Sequence, residues 1–376
     1  MVSFKKIKIL LINITFILFL VFPMVVELLY LKFALLLVLA TVGFFSLNTY
    51  NKKLFYNFLL YVFMGLILMW YGYIRGTPGW DKLGLLLTFW PVLYFFSFSN
   101  LKQESINNAL YLTTLLVVLY TISQFLYFVF YLEPLRFFDS EIVGVGFYDG
   151  FFEFTAFQLN TFPFLLAFSF GSYFFLKQKR WLILYIALAI LSFISLRKGL
   201  ILANFLLVFF YRKEIVSILN IKLKIFFFLI FICSVIIFYN TNFINEIITG
   251  FNFQNNINDS NSARVEQFIS LMKGFFDSPF FGHGLGSSAE AYGSVRSPEE
   301  PWSYELFFVA MLFQIGLIPY LILALIISLF YFKLNKLFQG VWFIVFVIGF
   351  TNPTFFRFDG FLFLFLAFNY LKYKHV

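Results

Sequence analysis

Apolar runs of roughly 13 to 25 residues recur along the whole chain, near 7–26, 30–47, 54–74, 83–99, 107–131, 157–176, 181–196, 199–211, 225–241, 304–330, 338–351 and 358–371. Where water is absent, a run of that length satisfies its own backbone only as a helix, so the pattern predicts an all-α, polytopic transmembrane protein of about 12 spans. Composition points the same way. With 62% hydrophobic and 12% charged residues among 376, too little polar surface remains to cover a water-soluble domain. We read 1–376 as a single transmembrane domain with loop insertions at 132–156 and 242–303. The opening "MVSFKKIKILLINITFILFLVF" has the basic-then-apolar shape of a signal peptide. It lacks a small-residue cleavage site and runs into further apolar sequence, so it is expected to stay as a first helix.

Charge orients the chain. With a cytoplasmic N-terminus, the cytoplasmic segments collect about 17 of the 27 Lys and Arg but only Glu104 and Glu214 among the 18 acids. "KQKR" at 177–180 and "YRKE" at 211–214 contribute most clearly, and both termini fall on this side. The net charge of +9 is therefore sorted across a membrane, which removes the usual reason to expect a nucleic-acid partner. The single cysteine, Cys233, permits no intrachain disulfide and no cysteine metal cluster; no metal and no cofactor are expected.

On the outer face, arginine outnumbers lysine, and fork-shaped guanidinium donors suit bidentate phosphate recognition. "SLRKG" at 195–199 lies between two runs too short to cross a bilayer, so Arg197 and Lys198 are expected at membrane depth, with Gly199 supplying the turn. In "NSARVEQFISLMKGFFDSP", apolar residues recur at three- and four-residue spacing. This predicts an amphipathic helix lying on the membrane face, capped by Asn261 or Ser262 and stopped at Ser278–Pro279, with Arg264 in its first turn. There the helix dipole disfavours a cation, which implies a compensating partner.

"FFGHGLGSS" follows, with Gly282, Gly284 and Gly286 at alternate positions. A tight turn with exposed N–H groups for an anion or a sugar oxygen is expected, and His283 within it is a general base, a phosphate ligand or an ordinary loop residue. Glu305 begins the next apolar run, where a carboxylate also stabilises a helix N-terminus. Arg296 and Arg357 complete the outer arginines considered for phosphate.

The order of "SLRKG", Arg264, "SPFFGHGLGS" and "SYELFFVAMLFQIGLI" resembles the superfamily of O-antigen polymerases and O-antigen ligases, over roughly residues 155–330. The resemblance implies a metal-independent glycosyltransferase of the bacterial inner membrane. Its substrates would be undecaprenyl-pyrophosphate-linked glycans at the periplasmic face, with a chain-length regulator and a flippase as further partners beside membrane lipids. Arg197 and Arg264 match the family's recurring arginines, and pyrophosphate binding by Arg197, Lys198, Arg264, Arg296 and Arg357 is implied. Ligases of the superfamily carry a histidine just before the helix that here begins near 304, whereas this chain has "PWSYE". That favours polymerisation of repeat units, with Glu305 or His283 as base. Transfer of glycan to lipid A core is the alternative, and a lipid-linked glycan flippase or transporter is the alternative from another class.

Overall fold

A computed structural model describes residues 4–23, 25–45, 52–98, 102–141, 143–148, 151–195, 197–218, 260–293, 301–304 and 306–349, with a few isolated positions besides. The expected spans at 225–241 and 358–371 lie almost wholly outside these residues.

Among the described residues the fold is all-α apart from one pair of strands. The helices are α1 Phe4–Leu20, α2 Leu29–Phe44, α3 Lys52–Ile74, α4 Trp80–Leu87, α5 Phe89–Phe98, α6 Gln103–Tyr131, α7 Phe162–Leu176, α8 Lys179–Ile194, α9 Lys198–Phe210, α10 Arg212–Ile218, α11 Ser260–Asp277, α12 Phe307–Ile315, α13 Leu317–Lys333 and α14 Lys336–Gly349. Among the described residues two stretches, Val26–Phe44 and Gln103–Tyr131, are long and apolar enough to cross a membrane. Shorter apolar helices include Ile7–Leu20, Phe58–Ile74, Phe162–Leu176 and Leu317–Lys333.

Helix α7 is the centre. Phe162 to Ser172 are buried without a break, and α8, α9 and α14 pack around them. An aromatic face needs a small residue opposite, and Gly171 and Gly340 both meet the Tyr211 hydroxyl end. That hydroxyl donates to the Lys336 and Leu337 carbonyls at 3.3 and 3.2 Å. Around this centre α1 packs on α2 and α6, and α2 on α5. Lys32 of α2 is buried, yet it donates to the Phe22 and Pro23 carbonyls at 2.5 and 3.1 Å just beyond α1.

Three expectations need correction. The runs at 83–99 and 304–330 are each two helices. Pro91 has no N–H for the Leu87 carbonyl, and α4 gives way to α5 at Thr88, whose hydroxyl bonds the Gly84 carbonyl at 2.7 Å. Pro319 likewise has no donor for the Ile315 carbonyl, and α12 gives way to α13 at Gly316, φ +73°.

Second, the segment 132–156, expected as an outer loop, contains antiparallel strands β1 Val143–Tyr148 and β2 Phe151–Ala156, paired from Val143 with Ala156 to Tyr148 with Phe151. An Asp-Gly dipeptide between two apolar, aromatic-rich runs is the sequence signal for such a pairing.

Third, α8 and α9 do pack together, but Gly199 does not turn the chain. It lies in the first turn of α9 with open space where a side chain would stand, while α8 has already ended at Ile194. There the buried Ser195 hydroxyl donates to the Ser192 carbonyl at 2.9 Å.

Candidate functional site

Residues 278–289 are bolted between two helix corners. On one side the Leu317 and Ile318 N–H groups, left without helical partners by the break at Gly316, donate to the Pro279 and Phe280 carbonyls at 2.8 and 3.1 Å. In return the His283 and Gly284 N–H groups donate to the Phe313 and Gln314 carbonyls at 3.2 and 2.8 Å. On the other side is the corner between α3 and α4. The Thr77 hydroxyl donates to the Leu285 carbonyl at 2.5 Å, the Gly79 N–H to the Gly286 carbonyl at 3.1 Å, and the Tyr71 hydroxyl to the Gly282 carbonyl at 3.3 Å.

The tight turn is present, with Gly282, Gly284 and Gly286 at φ +68°, +104° and +80°. A side chain on Gly282 would run into the Gln314 carbonyl and the Gly316 nitrogen, so the glycines allow backbone to touch backbone. The N–H groups of the three glycines and of His283 are not open to an anion: Gly282 donates to the Ser278 carbonyl and Gly286 to the Gln314 side chain, besides the bonds above. The expectation of exposed N–H groups is corrected because the neighbouring helix break supplies acceptors that no local spacing reveals.

Gln314 is the residue that sequence reading passed over. It is 2% exposed, accepts from the Gly286 N–H at 3.3 Å, and donates to the Ser287 and Trp302 carbonyls, both at 3.2 Å. A single amide in the apolar run "LFFVAMLFQIGLI" was the available signal. Thr77 in "RGTPGW" plays a similar part from the other corner. The Tyr304 hydroxyl completes the arrangement by accepting from the Ala289 N–H at 2.6 Å.

His283 faces α11. The Ser278 N–H bonds the Phe275 carbonyl rather than continuing the helical pattern to Gly274, and the His283 ring takes the Gly274 carbonyl instead, Nε2 to O at 2.7 Å. A carbonyl can only accept, so Nε2 is the donor in this contact and Nδ1 is the nitrogen left to accept. The ring stacks on Phe313 at 4.7 Å and meets the edge of Tyr292 at 5.8 Å. The Tyr292 phenol is held above its ordinary value, first by its hydrogen bond to Asp277 and then by burial, so it stays protonated beside the imidazole.

Gly282, His283, Gly284 and Gly286 thus stand together against α11 and α12, and α11 also carries Arg264, half-buried in its second turn. Helix α11 begins at Ser260, slightly ahead of the expected cap, and ends at Asp277 as expected. Arg197 is the N-cap residue of α9, whose packing partners are α7, α8, α10 and α14; Lys198 is the first residue of that helix. Both residues stand at a helix N-terminus, a position where the dipole disfavours a cation. Glu305, Arg296 and Arg357 lie outside the described residues. Among the described residues no cluster of three or more His, Cys, Asp or Glu is placed to hold a metal ion.

A second polar group in the 132–156 segment had no distinguishing signal in the sequence. Glu141 is 2% exposed, and the Tyr120 hydroxyl donates to its Oε2 at 2.6 Å, while its Oε1 has no hydrogen-bond partner. Burial, more than any other cause, pushes its carboxyl above the usual range, with Glu27 adding to this and Tyr120 and Arg136 opposing it. Glu27 in turn accepts from the Ser140 N–H at 3.0 Å and from its hydroxyl.

No protein-family model matches the chain, and no curated protein sequence matches it.

Proposed function

We propose that the chain is a membrane glycosyltransferase working at the extracytoplasmic face, polymerising oligosaccharide repeat units carried on undecaprenyl pyrophosphate into O-antigen or a related surface polysaccharide. The observation that carries it is the placing of His283: its Nε2 is tied to a carbonyl of the helix bearing Arg264, which leaves Nδ1 to accept a proton. In the reaction, an acceptor hydroxyl oxygen bonds to the anomeric carbon of the donor sugar. The bond from that carbon to the pyrophosphate oxygen breaks, and undecaprenyl pyrophosphate leaves with the electron pair. The hydroxyl proton passes to a base, His283 or Glu305, while Arg264 and Arg197, with Lys198, Arg296 and Arg357, neutralise the departing anion.

Two further features support a membrane setting. Large apolar side chains stand exposed along α3 and α13, which a water-soluble monomer rarely shows. Contacts near the ends of helices also join parts of the chain that lie at one face in the charge reading: Lys336 pairs with Glu214, Arg180 bonds Asn108 at 3.2 Å, and Ser140 meets Glu27.

The test is the electrophoretic ladder of cell-surface glycan in a strain lacking this chain, complemented with the native form or with Arg264→Ala. The proposal expects lipid A core capped by at most one repeat, with the ladder restored by the native form alone. Bare core with polymer stranded on its lipid carrier means a ligase, and loss of even the single repeat means a flippase.

A further inference from the structure

Helix α11 has three sectors. At about 100° per residue, Gln267, Ser270, Leu271 and Gly274 fall together, and all are buried against the protein. Val265, Phe268, Met272 and Phe276 fall on a second sector, and Phe268 and Phe276 are 45% and 69% exposed. Exposed Glu266, Lys273 and Asp277 form a third. An amphipathic helix ordinarily buries its large apolar side chains in its own protein. This one buries an amide, a hydroxyl and a glycine beside Leu271 and turns Phe268 and Phe276 outward, with Phe275 half-buried.

The outward sector continues into neighbouring surfaces. Phe280 and Phe281, just past the end of α11, are 60% and 56% exposed. The Phe280 carbonyl accepts from the Ile318 N–H at 3.1 Å, which joins these rings to the first turn of α13. From there Ile318, Leu321, Leu325 and Leu329 stand exposed along that helix. Helix α13 packs on α3, whose last turns expose Trp70 and Tyr73, residue types that gather where hydrocarbon meets headgroups.

We propose that the Phe268–Phe276 sector of α11, with Phe280 and Phe281, is seated in the outer leaflet of a lipid bilayer, at the level where headgroups meet acyl chains. The charged sector then faces water and the Gln267–Gly274 sector faces the protein, so one helix meets three media and its rotation is fixed. Because the Gly274 carbonyl holds His283, the seating also fixes the height of the imidazole above the hydrocarbon. The inference rests on the reading of the chain as membrane-embedded, and not on the glycan chemistry.

The experiment uses the full chain with Cys233→Ser, which removes its single cysteine. New cysteines are introduced one at a time, Phe268→Cys, Phe276→Cys, Phe281→Cys, Lys273→Cys and Glu290→Cys, each carrying an environment-sensitive fluorophore. The labelled chains are placed in vesicles of phosphatidylethanolamine and phosphatidylglycerol. The expected result is loss of emission at 268, 276 and 281 to lipids doxyl-labelled near the headgroup, with little loss to aqueous iodide, and the reverse at 273 and 290. Iodide quenching at 276 and 281 equal to that at 290 overturns the proposal. So does protection from both quenchers with cross-linking between copies, which makes the sector a protein contact. The three apolar sites are separate variants, so misfolding of one leaves the others decisive. Lipid quenching in a chain that fails to restore a glycan ladder refutes the proposed reaction alone, whereas a wet Phe276 in an active chain refutes this inference alone.

Discussion

Replacing Gly282 and Gly199 each by alanine separates two glycines that look alike in the sequence. At φ +68°, alanine on Gly282 incurs about 1–2 kcal/mol of backbone strain. Its new methyl group meets the Gln314 carbonyl and the Gly316 nitrogen, which are backbone atoms that cannot swing aside, and overpacking of this kind adds about 1–3 kcal/mol. The expected loss is therefore about 2–5 kcal/mol, a large part of the stability of an ordinary domain. Gly199 is helical with nothing within 4 Å of an added methyl, so Gly199→Ala should stabilise by about 0.5–1 kcal/mol. The assay is the midpoint of unfolding of purified protein in mild detergent titrated with a denaturing one, followed by circular dichroism. Equal effects, or a Gly282→Ala variant as stable as the native chain, would refute the account of the turn as a backbone-to-backbone clamp.

Three other outcomes are expected. Gln314→Leu leaves the Gly286 N–H and the Ser287 and Trp302 carbonyls without partners, and should destabilise by about 2–4 kcal/mol in the same assay. His283→Gln places an amide donor near the Gly274 carbonyl but has no basic nitrogen. If His283 is the base, this variant keeps its unfolding midpoint and loses the glycan ladder, and an intact ladder transfers the role to Glu305. Glu141 holds its proton in the native state at pH values where the unfolded carboxyl has lost it. Its contribution is therefore full below the ordinary carboxylate range and falls as pH rises through the raised native value. Glu141→Gln should flatten that fall in stability, and a pH profile unchanged by the substitution would count against a buried, neutral carboxyl.

The helical class was legible because a long apolar run pairs its own backbone N–H and C=O groups most simply as a helix. Both helix breaks were legible in principle, since Pro91 and Pro319 remove a donor at a known distance along the chain. The strand pair was legible in its Asp-Gly dipeptide, though a reading tuned to apolar length passes over strands of six residues. Helix α11 was legible in its extent and expected on the membrane face, but which of its sectors the protein covers was not legible. Periodicity finds the apolar face of a helix and says nothing about which face its own protein will cover.

Residue identity and local spacing determined where helices form, where proline interrupts them, and which loops collect positive charge. Tertiary structure decided what those features face. Hydrogen-bond partners are chosen by long-range contact, so the glycine turn found its acceptors at Phe313 and Gln314 and its donors at Tyr71, Thr77 and Gly79. For the same reason the donor role of the His283 Nε2 was set by a carbonyl that the end of α11 left unpaired. The burial of Glu141 was likewise decided by packing against α6, since a carboxylate in a loop carries no mark of whether water will reach it.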